Sequence, residues 1–219
     1  MENMMLVGAR PSNPLALAVL ALLFERPMHP YEMGVILKQR RKEESIKLRY
    51  GSLYTVIDLL QVRGFIVARE TERDGKRPER TIYEITPTGR DELHDWMADL
   101  VGQPAKEYPH FEAALCLLPI LPPDEALELL RQRLHLLEQN ASVLAGKIAG
   151  ISAQNFPPLF LVENEYRLAL QRAEQAFVSD LIQRIENGWG PLDLWRDFHE
   201  DREATIAKLY QRYGGGPMN

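Results

Sequence analysis

Residues 50–66, YGSLYTVIDLLQVRGFI, hold the pattern that decides the fold of the N-terminal part of the chain. Apolar residues recur there at helical spacing, which predicts an amphipathic helix whose buried face carries Leu53, Val56, Ile57 and Leu60. Gly64 follows this helix, as is typical of a left-handed C-terminal cap. Hydroxyl-bearing side chains crowd the other end, where unpaired backbone N–H groups and the positive end of the helix dipole attract an anion such as phosphate.

Two more helices are predicted before this stretch. The first, LALAVLALLFE at residues 15–25, begins after a proline and ends just before another. The second begins at Pro30 and covers residues 31–43. Tyr31 is expected to pack in the core with its hydroxyl at the surface, the alternative being a phosphate ligand. A polar interval then leads into the helix at residue 50.

After Gly64 the apolar period changes from 3.6 to 2. Residues 65–72, FIVARETE, and 80–86, RTIYEIT, predict two strands, and the Asp74-Gly75 pair between them is a strong turn signal. Three helices followed by a hairpin with a basic tip is the element order of a winged helix-turn-helix. In that fold the third helix enters the major groove and the hairpin contacts the DNA backbone beside it.

The rest of the sequence is predicted to be helical. Thr86 and Pro87 give a cap and a first-turn proline for one helix. Two long amphipathic helices follow at about residues 124–148 and 158–187, and a last one covers residues 192–213. Their apolar stripes are hidden most simply against each other and against a second copy of the chain. The residues assigned to this dimer interface are Leu127, Leu130, Leu134, Leu137, Leu161, Tyr166, Leu168, Phe177 and Leu181.

The predicted fold class is therefore mainly α, with a winged helix-turn-helix DNA-binding domain and an α-helical C-terminal dimerisation domain. An N-terminal arm, 1–13, precedes the DNA-binding domain, 14–90. The helical dimerisation domain, 91–213, is also the possible effector domain. A disordered tail, 214–219, is expected to end the chain.

Charge is divided unevenly along the chain. Residues 1–90 hold 15 Lys and Arg against 11 Asp and Glu, a balance of +4, while residues 91–219 hold 11 against 20, a balance of −9. The mildly basic segment 1–90 is suited to binding a polyanion, and the acidic segment 91–219 is expected to have a different function.

Several classes of protein are disfavoured. No run of 18 apolar residues occurs, so a membrane span is not expected and the protein is expected in the cytoplasm. The single Cys116 lies in an apolar run and is predicted to be a buried structural thiol, with redox sensing as the alternative. The histidines show no metal-ligand spacing, so no metal or cofactor is expected. No nucleophile elbow, phosphate-binding glycine loop or dinucleotide fingerprint occurs, which argues against an enzyme.

Three segments, LALAVLALLFERPMHPYEM, YGSLYTVIDLLQVRGFI and TIYEITPTGRDEL, together resemble the DNA-binding domain of the PadR family of bacterial transcriptional regulators. The resemblance covers roughly residues 14–95. Residues at the family's motif positions are Gly51, Ser52, Leu53, Tyr54, Gly64, Tyr83, Ile85, Thr86 and Gly89. The chain departs from the family at Pro30, where a glycine is usual, and at Arg49-Tyr50, where Ser-Pro is usual. Arg49 could there replace a capping hydroxyl with a charge.

The resemblance and the helix pattern together indicate the DNA contacts. Ser52 and Tyr54 are expected to reach phosphate oxygens, while Thr55 and Asp58 lie where base edges could be read. The basic hairpin tip is expected to contact the backbone. The residues assigned to DNA binding are Arg49, Tyr50, Gly51, Ser52, Tyr54, Thr55, Asp58, Arg73, Lys76, Arg77 and Arg80. Trp96 either packs in the dimer core or lines a cavity where an aromatic effector stacks.

The function predicted from these observations is a dimeric regulator that binds double-stranded DNA at a roughly two-fold operator. The family resemblance implies repression, released by a small aromatic ligand. The alternatives are an activator of the same architecture and a helical module whose winged helix contacts protein instead of DNA.

Overall fold

The computed structural model describes residues 13–46, 50–72, 80–188 and 192–213. At Tyr50, at residues 70–72, at Arg80 and at Tyr213 it describes the backbone alone. Contacts within the chain divide it into two compact units, Met1–Glu107 and Tyr108–Asn219. We call them the N-terminal unit and the C-terminal unit.

The N-terminal unit has the element order predicted for a winged helix. Its helices and strands are α1 Pro14–Glu25, α2 Pro30–Gln39, α3 Tyr50–Val62, β1 Ile66–Glu72, β2 Arg80–Ile85 and α4 Pro87–Gly102. Helix α1 is the centre of the core, because seven of its residues are buried and apolar side chains surround it on several sides. Its first turn is capped by the Asn13 side chain, which accepts a hydrogen bond from the Leu15 N–H at 3.0 Å.

Helix α2 is shorter than predicted. It ends at Gln39 rather than at residue 43, because Arg41 adopts a left-handed backbone conformation with φ of 53°. A short 3-10 turn at Lys42–Glu44 follows. Met33, Gly34 and Leu37 form its buried face.

The hairpin pairs β1 and β2 antiparallel, with Ile66 opposite Ile85 and a bulge between Ala68 and Glu70. Its second strand also meets the loop between α1 and α2. Met28 and Tyr83 exchange two backbone hydrogen bonds of 3.1 Å, N–H of each to C=O of the other. The Asp74-Gly75 turn predicted from the sequence lies outside the described residues. The hairpin is thus fixed to the helices at its base.

Two ion pairs connect the C-terminal end of α1 with α2 and with the residue that follows α2. The Arg40 guanidinium donates to both carboxylate oxygens of Glu25, one at 2.8 Å, and Arg26 pairs with Glu32. The hydrogen bond from Arg40 lowers the pKa of Glu25 below its ordinary value of 4.5, and Arg26 does the same for Glu32. A depressed carboxyl pKa contributes stability above the unfolded-state pKa and loses it as the pH falls below about 4.5.

We expect Glu25→Gln to lower the free energy of unfolding at pH 7 by about 0.5 kcal/mol, and the deficit to shrink as the pH falls below 4.5. The value is small because both side chains of the pair are close to half exposed and water screens their attraction. Urea unfolding at pH 7 and pH 3 measures it, with the exposed Glu43→Gln as the control. A deficit that grows on acidification would contradict the ion-pair explanation.

The boundary between the units lies later than the one expected at residue 90. Leu93 and Trp96 of α4 are buried in the core of the N-terminal unit, so this helix packs with the winged helix and the division falls after Glu107.

The C-terminal unit is helical throughout its described elements. They are α5 His110–Cys116, α6 Pro123–Ser152, α7 Val162–Glu186, α8 Leu192–Glu200 and α9 Arg202–Tyr213, with 3-10 turns at Leu118–Ile120 and Pro158–Leu161. Helices α6 and α7 pack antiparallel, since Leu130 near the start of α6 clusters with Leu181 near the end of α7, and Leu144 clusters with Leu168.

Two predictions for the C-terminal unit were wrong. Residues 192–213 are two helices, because the Asp201 carboxylate accepts a hydrogen bond from the Ala204 N–H at 3.0 Å and so begins α9. Cys116 is exposed rather than buried, since α5 directs Phe111 and Leu115 toward the core instead.

Among the helices of the described residues, none has both the length and the apolar composition that crossing a membrane requires.

Candidate nucleic-acid interface

Helix α3 has one buried and one exposed face, as its sequence predicts. Leu53, Val56, Ile57 and Leu60 are at most 4% exposed and form part of the N-terminal core. The opposite face carries the side chains of Tyr54, Thr55, Asp58 and Gln61, all exposed, and Ser52 is half-buried beside them. A polar helix face of this kind, presented by the third helix of a winged helix, is the part that enters a DNA groove.

The start of α3 is open to a partner. A Cβ built on Gly51 would meet no atom of the described residues within 4 Å, apart from its chain neighbours and the backbone of its own helix. The phenol ring of Tyr54 is 49% exposed. Within the described part of the chain its hydroxyl makes no hydrogen bond, which leaves the O–H available to donate to a phosphate oxygen.

Thr55 differs from Tyr54 because its hydroxyl hydrogen is already used. The Thr55 Oγ1 donates to the backbone carbonyl of Gly51 at 3.0 Å. The oxygen retains lone pairs and can accept from the exocyclic amino group of adenine or cytosine. Thr55 is therefore better suited to a base edge than to a phosphate.

Asp58 lies where α3 approaches the hairpin. Burial raises the pKa of Tyr83 on β2, and the negative charge of Asp58 raises it further. The Asp58 carboxylate is thus within electrostatic reach of the strand, and a phosphate there would be repelled. An amino group on a base edge is a compatible partner for it.

A set of hydrogen bonds fixes α3, the hairpin and α4 to one another. The Thr86 hydroxyl lies 2.7 Å from the Gly64 carbonyl oxygen and 3.1 Å from the Phe65 carbonyl oxygen, and it can donate its hydrogen to either one. It accepts from the Gly89 N–H at 3.0 Å and so caps α4. Gly64 ends α3 with φ of 74°, in the left-handed region that favours glycine. The angle between the helix and the hairpin is therefore set by hydrogen bonds between the Thr86 side chain and the backbone around it.

Tyr31 was predicted to face the core, and that prediction was wrong. The ring is 61% exposed, at the second residue of α2. The His29 side chain accepts from the Tyr31 N–H at 3.0 Å and fixes the start of this helix. The spacing could have shown it, because Tyr31 lies two residues, or about 200°, from the buried Met33. A second phenol hydroxyl is thus presented by the N-terminal unit.

Other predicted site residues are not placed by the structure. Arg49, Arg73, Lys76 and Arg77 lie outside the described residues, and of Tyr50 and Arg80 only the backbone is described, at the first residues of α3 and β2. Trp96 is 6% exposed in the core of the N-terminal unit, so little of the ring is left for a ligand to touch. The described residues contain no group of three His, Cys, Asp or Glu side chains that could hold a metal ion.

The residues assigned to dimerisation fall into two groups. Leu130, Leu161, Leu168 and Leu181 are buried within one chain. Leu127, Leu134 and Leu137 pack partly buried against the cluster that contains Leu130 and Leu181. Tyr166 is 66% exposed and Phe177 43%. Large exposed side chains that the sequence interpretation did not single out accompany them: Leu129, Leu136, Val143 and Leu170.

Comparison with known proteins agrees with this fold. The family model described as "Transcriptional regulator PadR-like family" matches residues 19–95, from α1 through the hairpin into α4. A curated relative, "Negative transcriptional regulator PadR" of Bacillus subtilis (strain 168), is 25% identical over 146 residues, which cover 67% of this chain and 79% of that protein.

Solved structures of similar fold include Bacillus subtilis PadR in complex with operator DNA, with a TM-score of 0.63 at 22% identity, covering 79% of this chain and 99% of that one. The same protein in complex with p-coumaric acid has a TM-score of 0.63 at 21% identity, covering 78% and 98%. A PadR-like regulator from Bacillus cereus has a TM-score of 0.53 at 15% identity, covering 79% and 98%. These likenesses confirm the predicted fold class.

Proposed function

Because residues 19–95 form a domain of the transcriptional regulator PadR-like family, we propose that the chain is a dimeric, sequence-specific DNA-binding repressor. The observation that supports this most is the polar, exposed face of α3 beside a hairpin fixed at its base. The protein would act where the genome lies, which in bacteria is the cytoplasm, and by binding rather than by catalysis.

In this proposal α3 enters the major groove and the hairpin contacts the adjacent backbone. Ser52 and Tyr54 contact phosphates and position the helix, together with Tyr31 from α2. Thr55 and Asp58 accept hydrogen bonds from base amino groups and supply sequence preference. Arg49, Tyr50 and Gly51 form the N-terminal end of the same surface, and Arg73, Lys76, Arg77 and Arg80 supply the positive charge of the hairpin.

Tyr54→Phe is expected to weaken DNA binding without changing sequence preference. Loss of one phosphate hydrogen bond costs about 1 kcal/mol, or about fivefold for each half-site and roughly 25-fold for a dimer on two half-sites. Fluorescence anisotropy with operator and with scrambled DNA measures both effects. The control, Tyr210→Phe, removes an exposed phenol hydroxyl from α9 and should leave binding unchanged. Binding of the Tyr54 variant within twofold of the parent would contradict the assigned contact.

Substitutions in the basic hairpin tip are expected to change DNA binding in a different way from Tyr54→Phe. Replacing Arg73, Lys76 and Arg77 together with glutamine should weaken binding to all sequences and flatten the dependence of log K on log salt by about 0.9 for each phosphate that is no longer neutralised. A charge-matched control carries Arg172→Gln, Arg196→Gln and Lys208→Gln in the C-terminal unit. An unchanged salt slope in the hairpin variant would favour the alternative in which the winged helix contacts protein.

Dimerisation is assigned to an apolar face of the α6–α7 pair. On α6, Leu129, Leu136 and Val143 are 44–59% exposed and recur every seven residues. Heptad spacing keeps such side chains in one line along a helix. On α7, Tyr166, Leu170 and Phe177 form a second line, exposed by 43–66%. A set of exposed large apolar side chains of this kind marks a protein interface.

The two lines lie on the same side of the helix pair. Arg133 on α6 donates to the Glu174 carboxylate on α7 at 2.6 Å, which ties the helices along one side. Leu129 and Leu136 are four and three residues from Arg133. Leu170 and Phe177 stand in the same relation to Glu174. Since residues three or four apart are neighbours on a helix surface, both lines flank this ion pair and form one face.

A dimer built on this face would present two α3 helices related by a two-fold axis. Successive major grooves on one side of DNA recur about every 10 bp, so half-sites at that centre-to-centre spacing, or at a multiple of it, are expected. The operator should accordingly be roughly palindromic. Footprinting of the bound promoter measures the spacing.

The regulatory part of the proposal is that a small aromatic molecule releases the protein from its operator DNA. It is supported by the structural likeness to Bacillus subtilis PadR, whose complex with p-coumaric acid is known. A ligand can weaken DNA binding only through a higher affinity for a conformation that misfits the operator. Distances between spin labels on the two α3 helices, recorded with and without p-coumarate, test this; unchanged distances at saturation would exclude the mechanism. Trp96, being buried, is not required for it.

A further inference from the structure

The C-terminal unit contains a cavity of about 320 Å³ between α5, the turn that follows it, α8 and α9. Among the described residues, its walls are leucine, proline and aromatic side chains, with a single hydroxyl-bearing residue. The lining residues are Leu115, Leu118, Pro119, Leu194, Trp195, Phe198, Thr205 and Leu209. This volume is at the lower end of the range for small-molecule sites.

Two contacts hold the walls of the cavity in place. The Trp195 indole N–H donates to the Leu121 carbonyl at 2.8 Å, and the His199 Nε2 lies 3.0 Å from the Pro119 carbonyl. Both join α8 to the chain around the 3-10 turn at Leu118–Ile120. Trp195 is 8% exposed and Thr205 1%, so the cavity walls belong to a packed unit.

The lining determines which molecules could bind. None of the described residues that line the cavity is charged, so a bound carboxylate or ammonium group would lose its hydration without gaining a partner. The indole N–H of Trp195 is already used, so among the described lining residues Thr205 is the side chain that could hydrogen-bond a ligand. The two rings, of Trp195 and Phe198, favour an aromatic ligand by offset or edge-to-face packing.

We propose that this cavity binds a neutral aromatic molecule of one or two rings with at most one hydroxyl group. Such a ligand fills the apolar space between α5 and α9 and directs its hydroxyl to Thr205. The site lies wholly within the C-terminal unit of one chain. It does not depend on DNA binding, so its test is independent of the proposed function.

The test is calorimetric titration of the full-length protein, without DNA, using 1-naphthol and the anions 1-naphthoate and p-coumarate as probes. We expect saturable binding of one 1-naphthol per chain and at least tenfold weaker binding of 1-naphthoate, while p-coumarate should not compete with 1-naphthol. Equal binding of 1-naphthol and 1-naphthoate, or no binding of 1-naphthol at millimolar concentration, would overturn the proposal.

Variants locate the site. Leu118→Trp fills the cavity and should weaken 1-naphthol binding at least tenfold, whereas Leu117→Trp, at the neighbouring residue that is 60% exposed, should leave it unchanged. Thr205→Val keeps the shape of the side chain and should weaken binding about fivefold by removing the hydroxyl. If circular dichroism shows that Leu118→Trp does not fold, Leu209→Phe replaces it. Undiminished binding to a folded cavity-filling variant would place the ligand elsewhere and refute the assignment.

Discussion

Replacing Leu136 and Val143 together with lysine is expected to convert the dimer into monomers and to lower operator affinity by about 100-fold or more. Both side chains are at least half exposed on α6, so lysine is compatible with the fold of one chain but places four charges in the apolar face of a dimer. The lower affinity follows because two half-sites held by one molecule bind with an effective concentration that separate monomers lack.

Sedimentation velocity gives the oligomeric state, and operator titration gives the affinity. A control with the same added charge carries His135→Lys and Ser142→Lys, two exposed positions that lie one residue, or about 100° around α6, from Leu136 and Val143. Circular dichroism should show equal helix content in both proteins. A double variant that remains dimeric and binds the operator within a few-fold of the parent would show that another surface joins the two chains.

Gly89→Ala is expected to lower the free energy of unfolding of the N-terminal unit by about 3 kcal/mol. A Cβ at this position would overlap the backbone carbonyl oxygen of Phe65 and approach Cγ1 of Ile85 to 2.9 Å. The Phe65 carbonyl cannot move freely, because it accepts a hydrogen bond from the Thr86 N–H at 3.0 Å and the Thr86 hydroxyl lies 3.1 Å from it. One methyl group therefore disrupts the junction of α3, hairpin and α4.

Gly102→Ala is the matched control, since a Cβ at this last residue of α4 would meet no atom within 4 Å in the described part of the chain, apart from its own helix and chain neighbours. Alanine has the higher helix propensity, so this change should be neutral or stabilising by up to about 1 kcal/mol. Thermal unfolding of both variants gives the comparison. A Gly89→Ala protein as stable as its parent would mean that the close approach of α4 to Phe65 is not maintained in solution.

Much of the structure of the N-terminal unit can be predicted from its sequence, because the local sequence signals agree with the tertiary fold. The stripe of α3, the glycine that ends it and the Thr86 cap of α4 each follow from residues close in the chain. The bridge between Met28 and Tyr83 does not, since it joins residues 55 positions apart and depends on how α1 and the hairpin pack. The prediction that Tyr31 is buried was wrong, because this residue lies about 200° around α2 from the buried Met33.

The residues assigned to the dimer interface show a further limit of prediction from the sequence. Helix α6 carries two apolar lines, one through Leu130 and Leu144 and the other through Leu129, Leu136 and Val143. Both have helical spacing, and nothing local distinguishes the line that packs on α7 of the same chain from the line that remains exposed. Only the fold of the C-terminal unit separates them. The break at Asp201 is a different case, because aspartate is favoured at an N-cap and disfavoured inside a helix, yet residues 192–213 were predicted as one amphipathic helix that runs through it.

The most direct measurement of the central proposal is a salt titration of the full-length protein binding to short genomic fragments, including the promoter of its own gene, with oligomeric state recorded in parallel. We expect a dimer to bind one class of fragment tightly, with log K falling steeply and linearly with log salt. Binding that is weak, indifferent to sequence and insensitive to salt would contradict DNA recognition by α3 and the hairpin.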